Sequence, residues 1–167
     1  MKRNGIQTLT FSGPALVKGE LTYLDSARYA DRVVALCFLP SIGLVSTGLI
    51  DRQAERFLEI EAALVIVASG ARPLHRVWIG HGAKPLTPVL ADPCGRLHRT
   101  FGVAVVDPAR RCHTFVMDRT GVLRLQVSHD FMAQDLTVLQ KLIGAFQRTG
   151  AAECVPDVGA RASCLLV

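Results

Sequence analysis

The hydrophobic pattern of the chain is dominated by two short segments that are apolar at nearly every position. Residues 32–39 (RVVALCFL) and 64–68 (LVIVA) are typical of strands buried on both faces of a sheet. Between them, residues 48–60 are predicted to form a helix. Residues 132–146 have apolar positions at helical spacing, so we expect a helix that lays one apolar face on the sheet.

Shorter segments complete the predicted set of elements. The further strands are expected at residues 6–11, 21–24, 86–90, 114–117 and 122–127, and a short helix at residues 73–79. Residues 12–14 (SGP) and 118–121 (DRTG) predict turns, the second of them a tight hairpin turn. Asp92 and Pro93 predict the start of a helix, because Asp caps helices and Pro is tolerated at the first helical position.

Strands alternate with helices and are followed by a β-hairpin and a packing helix. Periodicity alone predicts an α/β domain. The order of elements is that of a thioredoxin-like fold, with a central mixed β-sheet flanked by helices. We expect one domain over residues 1–149 and a tail over residues 150–167, with residues 32–39 in the interior of the sheet.

Composition and charge exclude several classes of protein. Half of the 167 residues are apolar and 20% are charged, which is ordinary globular composition. The net charge of +5 comes from scattered arginines without a basic run, which argues against nucleic-acid binding. No apolar stretch approaches the length of a membrane helix, and the basic start is not followed by a signal-peptide core. We therefore expect a cytoplasmic protein that neither crosses nor binds a membrane.

Four segments of the sequence have an order and spacing that point to one family. They are residues 19–40 with GELTYL and RVVALCFLP, residues 75–78 (HRVW), residues 90–103 with LADP and FGV, and residues 115–124 (FVMDRTGVLR). Together they resemble the peroxiredoxins of the alkyl hydroperoxide reductase and thiol-specific antioxidant family. The resemblance implies a thioredoxin-like fold, reduction of hydroperoxides by a cysteine thiolate, and pairing into homodimers.

The catalytic signature of that family is Pro-x-x-x-Thr-x-x-Cys, with the cysteine in the first turn of the helix after the core strand. A cysteine near a helix N-terminus is biased towards thiolate. The corresponding window here, residues 40–47, reads PSIGLVST. Without a gap, Leu44 takes the threonine position and Thr47 the cysteine position, and a shifted alignment puts Gly43 there instead. Only Pro40 is retained.

The arginine of the family's peroxide site is also displaced. Counting back from Asp118, its position holds Cys112, with Arg111 and Arg110 just before it. Thr47 does not replace the missing sulfur, because a hydroxyl needs an adjacent base and no histidine or carboxylate lies nearby in sequence. We expect Thr47 to be a helix N-cap. The peroxidatic site is therefore predicted to be degenerate.

The five cysteines are irregularly spaced and predict reduced thiols rather than a disulfide framework. Cys94 would occupy the second position of the helix predicted at Asp92, where free N–H groups favour a thiolate, so it is the candidate reactive thiol. Cys154 lies in a Val-Cys-Pro-like segment, ECVP, that resembles the resolving-cysteine position of two-cysteine peroxiredoxins. Cys37 is predicted to be a small core hydrophobe.

No metal or cofactor site is predicted. Cys112 and His113 are neighbours entering a strand, so they point to opposite faces and cannot chelate one metal together. The five histidines have no metal-ligand spacing, and no Cys-x-x-Cys occurs.

Three functions follow as hypotheses. The first is a peroxiredoxin-like protein without the peroxidatic cysteine, acting as a binding or regulatory module with a second copy or a partner protein. The second is an active thiol peroxidase or thiol-redox enzyme that uses Cys94, Cys112 or Cys154. The third is a pocket for an unidentified small molecule, made apolar by Ile42, Leu44 and Val45.

Overall fold

Eight strands of the described residues form one mixed β-sheet. The computed structural model describes residues 8–40, 47–69, 86–106, 111–130, 133–149 and 163–165. The strands are β1 (Ser12–Val17), β2 (Glu20–Asp25), β3 (Val33–Leu39), β4 (Ala62–Ala68), β5 (Val89–Ala91), β6 (Cys112–Met117), β7 (Leu123–His129) and β8 (Ser163–Leu165). Their order across the sheet is β2-β1-β5-β4-β3-β6-β7-β8.

Strand β3 lies in the interior of this sheet. It pairs in parallel with β4 and antiparallel with β6, and all seven of its residues are buried. The prediction that residues 32–39 form an interior strand is confirmed. Their apolar side chains are buried against both faces, as continuous apolar runs require.

Helices cover both faces of the sheet. On the first face lie α1 (Thr47–Glu59) and α3 (Ala133–Thr149), whose apolar residues join the core there. On the second face lie α2 (Arg96–Thr100) and a 3-10 helix (Ser26–Tyr29). The rings of Phe38, Phe101 and Phe115 meet on that face with centroids 5.0 to 5.5 Å apart. This architecture is the predicted thioredoxin-like one.

The long predicted helices are confirmed within a few residues. Helix α1 was expected at residues 48–60 and α3 at residues 132–146. No helix in the described part of the chain is long and apolar enough to cross a membrane. The helix predicted at residues 73–79 lies outside the described residues.

The N-terminal hairpin differs from the prediction. Ser12–Val17 is strand β1, not a turn, and of the strand expected at residues 6–11 the described part shows only an isolated bridge from Thr8 to Val122. The chain turns instead at Lys18 and Gly19, whose φ angles of 52° and 82° are those of a tight hairpin turn. The reason is that β5 pairs only with Ala15 and Leu16, so a proline earlier in β1 is tolerated.

Asp92 and Pro93 do not open a helix, which corrects a second prediction. Residues 92–95 form a turn closed by Gly95 N donating to Asp92 O at 3.1 Å, and α2 begins at Arg96. Asp92 still accepts a helical N–H, from His98 N at 2.9 Å, but does so across the turn. The prediction that the Asp92 side chain accepts a hydrogen bond from a helical N–H was correct, whereas the predicted helix start at Asp92 was wrong.

Strand β8 was not predicted. It pairs antiparallel with β7, with Cys164 opposite Val127, and so extends the sheet from within the segment expected to be a tail. A strand of three residues is too short to show hydrophobic periodicity in the sequence. It is identified only by its pairing with β7.

The β6–β7 turn is confirmed, and Asp118 holds it together. Its Oδ1 accepts from Thr120 N, Thr120 Oγ1 and Val122 N, and its Oδ2 accepts from Arg124 Nε at 2.7 Å. Partial burial raises the pKa of Asp118, but these hydrogen bonds outweigh it and hold the pKa below its usual range.

We expect Asp118→Ala to lower the free energy of unfolding by about 1–3 kcal/mol at neutral pH, because it leaves several donors without their acceptor. Asp118→Asn keeps an acceptor oxygen and should cost less. Since the folded pKa is lowered, the carboxylate stabilises above its unfolded pKa, and the difference between wild type and Asp118→Ala should shrink as the pH falls through the folded pKa. Urea unfolding measures this, and a difference that does not change with pH contradicts the account.

Candidate functional site

The start of α1 is where the family's nucleophile would stand. The helix begins at Thr47 and contains no cysteine, and Pro40 lies half-buried just after β3. Residues 41–46 and the side chain of Thr47 lie outside the described residues. The predictions for Gly43 and Leu44, the apolar pocket mouth and the N-cap role of Thr47 therefore stay predictions.

Cys94 is exposed, and its surroundings differ from the prediction. It lies in the turn before α2, and its carbonyl oxygen accepts from Arg99 Nη1 at 2.8 Å. Cys94 directly precedes the N-cap Gly95, so it does not occupy the second helical position that was predicted for it. Cys94 is accessible, but the structure removes the reason to expect an activated sulfur.

Beside Cys94, a buried hydrogen bond between the side chains of His98 and Asp92 fixes the turn. His98 Nδ1 and Asp92 Oδ2 are 2.7 Å apart, and both side chains are almost fully buried. Burial raises the pKa of Asp92, but hydrogen bonds from the side chain and backbone of His98 lower this pKa by more. The net shift is therefore downward. The His98 ring packs edge-on against Phe38 with centroids 4.9 Å apart. This pair is explained by its structural role in holding the turn onto the second face.

Cys112 and Arg111 lie at the start of β6. Cys112 is buried in the core of the first face, whereas His113 follows on the opposite side of the strand, as predicted. Arg111 Nη2 donates to Ser128 O on β7 at 3.0 Å. Arg110 and Cys154 lie outside the described residues.

Strand pairing places four polar side chains together on the first face, and we call them the thiol cluster: Cys37, Cys112, Thr114 and His129. Cys37 of β3 is directly opposite Thr114 of β6, and Cys112 of β6 is directly opposite His129 of β7. Side chains two residues apart on a strand share a face. Cys37, Cys112 and His129 are 0%, 2% and 4% exposed, so the cluster is part of the core.

Hydrogen bonds orient the imidazole of His129. Its Nδ1 lies 2.9 Å from Asp130 O, and its Nε2 lies 2.8 Å from Thr114 Oγ1. A carbonyl oxygen only accepts, so Nδ1 carries a hydrogen and donates to it. Nε2 therefore either accepts from the Thr114 hydroxyl or, in the imidazolium, donates to it. The ring can take up or release a proton at Nε2 without moving.

The cluster changes the acidity of Cys37. Burial raises the pKa of this thiol, but hydrogen bonds from Cys112, His129 and Thr114, with the charge of His129, outweigh burial and lower the pKa to about 5. A thiolate is the nucleophilic and oxidisable form of cysteine. Cys37 is thus buried as predicted, and the hydrogen bonds of the cluster favour the thiolate form of its side chain.

Sequence reasoning did not find this cluster. Cys37 stands in an apolar run and His129 at the end of an alternating strand, so each fits a core position by itself. The signal lies in the pairing of β3 with β6, which joins residues far apart in the chain. Within the described residues, no group of three or more His, Cys, Asp or Glu side chains could hold a metal ion.

A groove of about 650 Å³ lies on the second face, away from the thiol cluster. Three arginines line it, Arg32, Arg96 and Arg119, together with the 3-10 helix and the β6–β7 turn. Arg96 donates to Ser12 O at 2.8 Å and Arg119 pairs with Glu61 at 2.9 Å. Two of the three guanidinium groups are therefore already engaged within the chain.

The sequence matches no family model and no curated protein. Solved structures do match. The chain is similar to Enterococcus faecalis AhpC, with 21% identity, 89% of this chain and 97% of that chain covered, and a TM-score of 0.64. It has the peroxiredoxin fold.

Two Plasmodium structures show the same likeness. Thioredoxin peroxidase I of Plasmodium yoelii gives a TM-score of 0.69 with 12% identity, covering 90% of this chain and 94% of that one. The mitochondrial 2-Cys peroxiredoxin of Plasmodium falciparum gives 0.64 with 16% identity, covering 87% and 96%. At these identities the peroxiredoxin fold is shared, and the chemistry must be argued from the residues of this chain.

We expect a bulky thiol reagent to alkylate Cys94 well before Cys37 and Cys112, because the first is exposed and the other two are buried in the core. Labelling rates read per residue by mass spectrometry measure the order. In denaturant the three rates should converge, which controls for the reagent. Early labelling of Cys37 in the folded protein contradicts its burial.

Proposed function

We propose that this chain is a peroxiredoxin-like protein of the thiol-redox class that lacks the peroxidatic cysteine and acts as a binding or regulatory module. The observation that supports the proposal is that neither α1 nor the segment before it contains a cysteine. No cysteine occurs between Cys37 and Cys94. On a peroxiredoxin fold, that interval includes the helix start from which the family's sulfur attacks peroxide.

The missing sulfur has no substitute at that position. The family route forms a sulfenic acid on the attacking atom, and a hydroxyl oxygen cannot be oxidised in this way. Losing the nucleophile removes the covalent step. The changes to Leu44 and Cys112 remove the side chains that would hold the peroxide and stabilise the developing charge.

The described thiols do not restore fast turnover. Cys94 is exposed but lies outside a helix, and Cys37 and Cys112 are closed off from solvent. Rapid turnover needs a thiolate that substrate and reductant can both reach. None of these three combines activation with access.

The alternative is an active thiol peroxidase that uses Cys94, Cys112 or Cys154. One observation favours Cys112 among these, since it lies beside the lowered-pKa thiol of Cys37. We further propose a cytoplasmic location and association with a second copy or a partner protein, both of which rest on the resemblance and on composition.

Steady-state consumption of hydrogen peroxide tests the proposal. We expect the wild-type protein, supplied with a thiol reductant and an electron-donor system, to show no peroxiredoxin-like turnover. A variant with all five cysteines replaced by serine is the matched control, and its rate should equal that of wild type within error. Robust turnover that disappears in the control contradicts the proposal and supports the alternative.

A further inference from the structure

The proposed function leaves the thiol cluster unused. Two cysteine thiols on neighbouring strands share one face with a histidine whose Nδ1 donates to Asp130 O at 2.9 Å. A nucleophile, a base within hydrogen-bond reach and a group that orients the base together form the arrangement of an activated thiol. Packing alone does not require it, since apolar side chains would fill the same positions without polar atoms to satisfy.

We propose that Cys37 and Cys112 form a buried dithiol that hydrogen peroxide oxidises to a disulfide, with Cys37 as the attacking sulfur and Cys112 as the resolving one. We interpret this oxidation as a regulatory step, and only that interpretation rests on the proposed function. The chemistry itself depends on the cluster alone.

In the first step, the Cys37 thiolate attacks one oxygen of hydrogen peroxide. The S–O bond forms, the O–O bond breaks, and the hydroxide that leaves takes a proton from the His129 imidazolium to become water. Cys37 is then a sulfenic acid and His129 is neutral. The sulfur has lost two electrons and the peroxide has gained them.

In the second step, the Cys112 sulfur attacks the Cys37 sulfur. The S–S bond forms and the S–O bond breaks, and the departing hydroxide combines with the proton of the Cys112 thiol to give a second water. One peroxide and two thiols have become one disulfide and two waters. A dithiol reverses the reaction by thiol–disulfide exchange when opening of the core exposes the disulfide.

Burial selects the oxidant. Cys37 has no exposed surface, and the close packing of the core excludes reagents much larger than water. Hydrogen peroxide meets this requirement, whereas a bulky organic hydroperoxide does not. The same property explains why a bulky alkylating reagent should prefer Cys94.

The register makes the disulfide a strained one. Cys112 is diagonal to Cys37, since Cys37 is directly opposite Thr114. Diagonal partners in antiparallel pairs have Cα atoms about 7–8 Å apart, beyond the usual disulfide span of about 4.4–6.8 Å. Closing the bond must therefore shift the backbone of β3 against that of β6, and strained disulfides have the more oxidising potentials.

The test uses the full chain with Cys94, Cys154 and Cys164 replaced by serine, so that Cys37 and Cys112 are the remaining thiols. Hydrogen peroxide should remove both thiols and give one Cys37–Cys112 linked peptide under non-reducing mass spectrometry, and dithiothreitol added together with urea should restore both. Cumene hydroperoxide, a bulky oxidant, should act far more slowly. If both thiols survive hydrogen peroxide in the folded protein but oxidise in denaturant, the proposal is wrong.

Three further variants, each added to the same background, assign the roles. With Cys112→Ser, a sulfenic acid should accumulate on Cys37 and be trapped by dimedone once urea opens the core, whereas with Cys37→Ser the Cys112 thiol should persist. His129→Gln should slow the loss of thiols by about 100-fold, with unfolding by urea measured in parallel to confirm a folded core. Trapping at Cys112 instead of Cys37, or an unchanged rate in folded His129→Gln, overturns the assignment.

These readouts are stoichiometric and do not depend on peroxidase turnover. Formation of the disulfide without turnover supports both the inference and the proposed function. Peroxide turnover without this disulfide would contradict both claims. The turnover assay would overturn the proposed function, and the thiol assay would overturn the inference.

Discussion

The pairing of β3 on both edges is the constraint on which the rest of the structure depends. A strand buried on two faces and paired on two sides must have apolar side chains almost throughout, and Val33–Leu39 has them. The parallel partner β4 requires a crossover, which brings α1 onto the first face, and the antiparallel partner β6 brings the C-terminal hairpin alongside. The peroxiredoxin fold follows from these two neighbours.

The same pairing creates the chemistry of the core. The register that aligns β3 with β6 brings the Cys37 thiol to Thr114, and the β6–β7 register brings His129 to Cys112. Burial opposes a charged sulfur, yet the hydrogen bonds of the cluster outweigh it. In this chain the sulfur with a lowered pKa therefore lies within the sheet, and helix α1 contains no cysteine.

The sequence predicted the fold through its strongest patterns, namely two apolar runs, two amphipathic helices and the DRTG turn. It misplaced β1 because the glycine and proline of that strand are also turn residues, and it misplaced the start of α2 because Asp92 caps the helix across a turn. The cluster could not be predicted, since no local pattern tells which strands are neighbours or which side chains meet across them. The residues from Ser41 to Ser46 lie outside the described chain, so the predicted loss of the peroxidatic site rests on sequence alone.

The acidity of Cys37 tests the central claim most directly, because an activated thiol in the core is a property that no inert packing role requires. Thiolate absorbance in the ultraviolet, followed against pH in wild type and in Cys37→Ser, isolates this one sulfur by difference. The account predicts a thiolate that appears with a midpoint near pH 5, matching the lowered pKa, and that is missing from the variant. A difference spectrum that rises only near the ordinary cysteine value of about 8.5, or above it, contradicts the account.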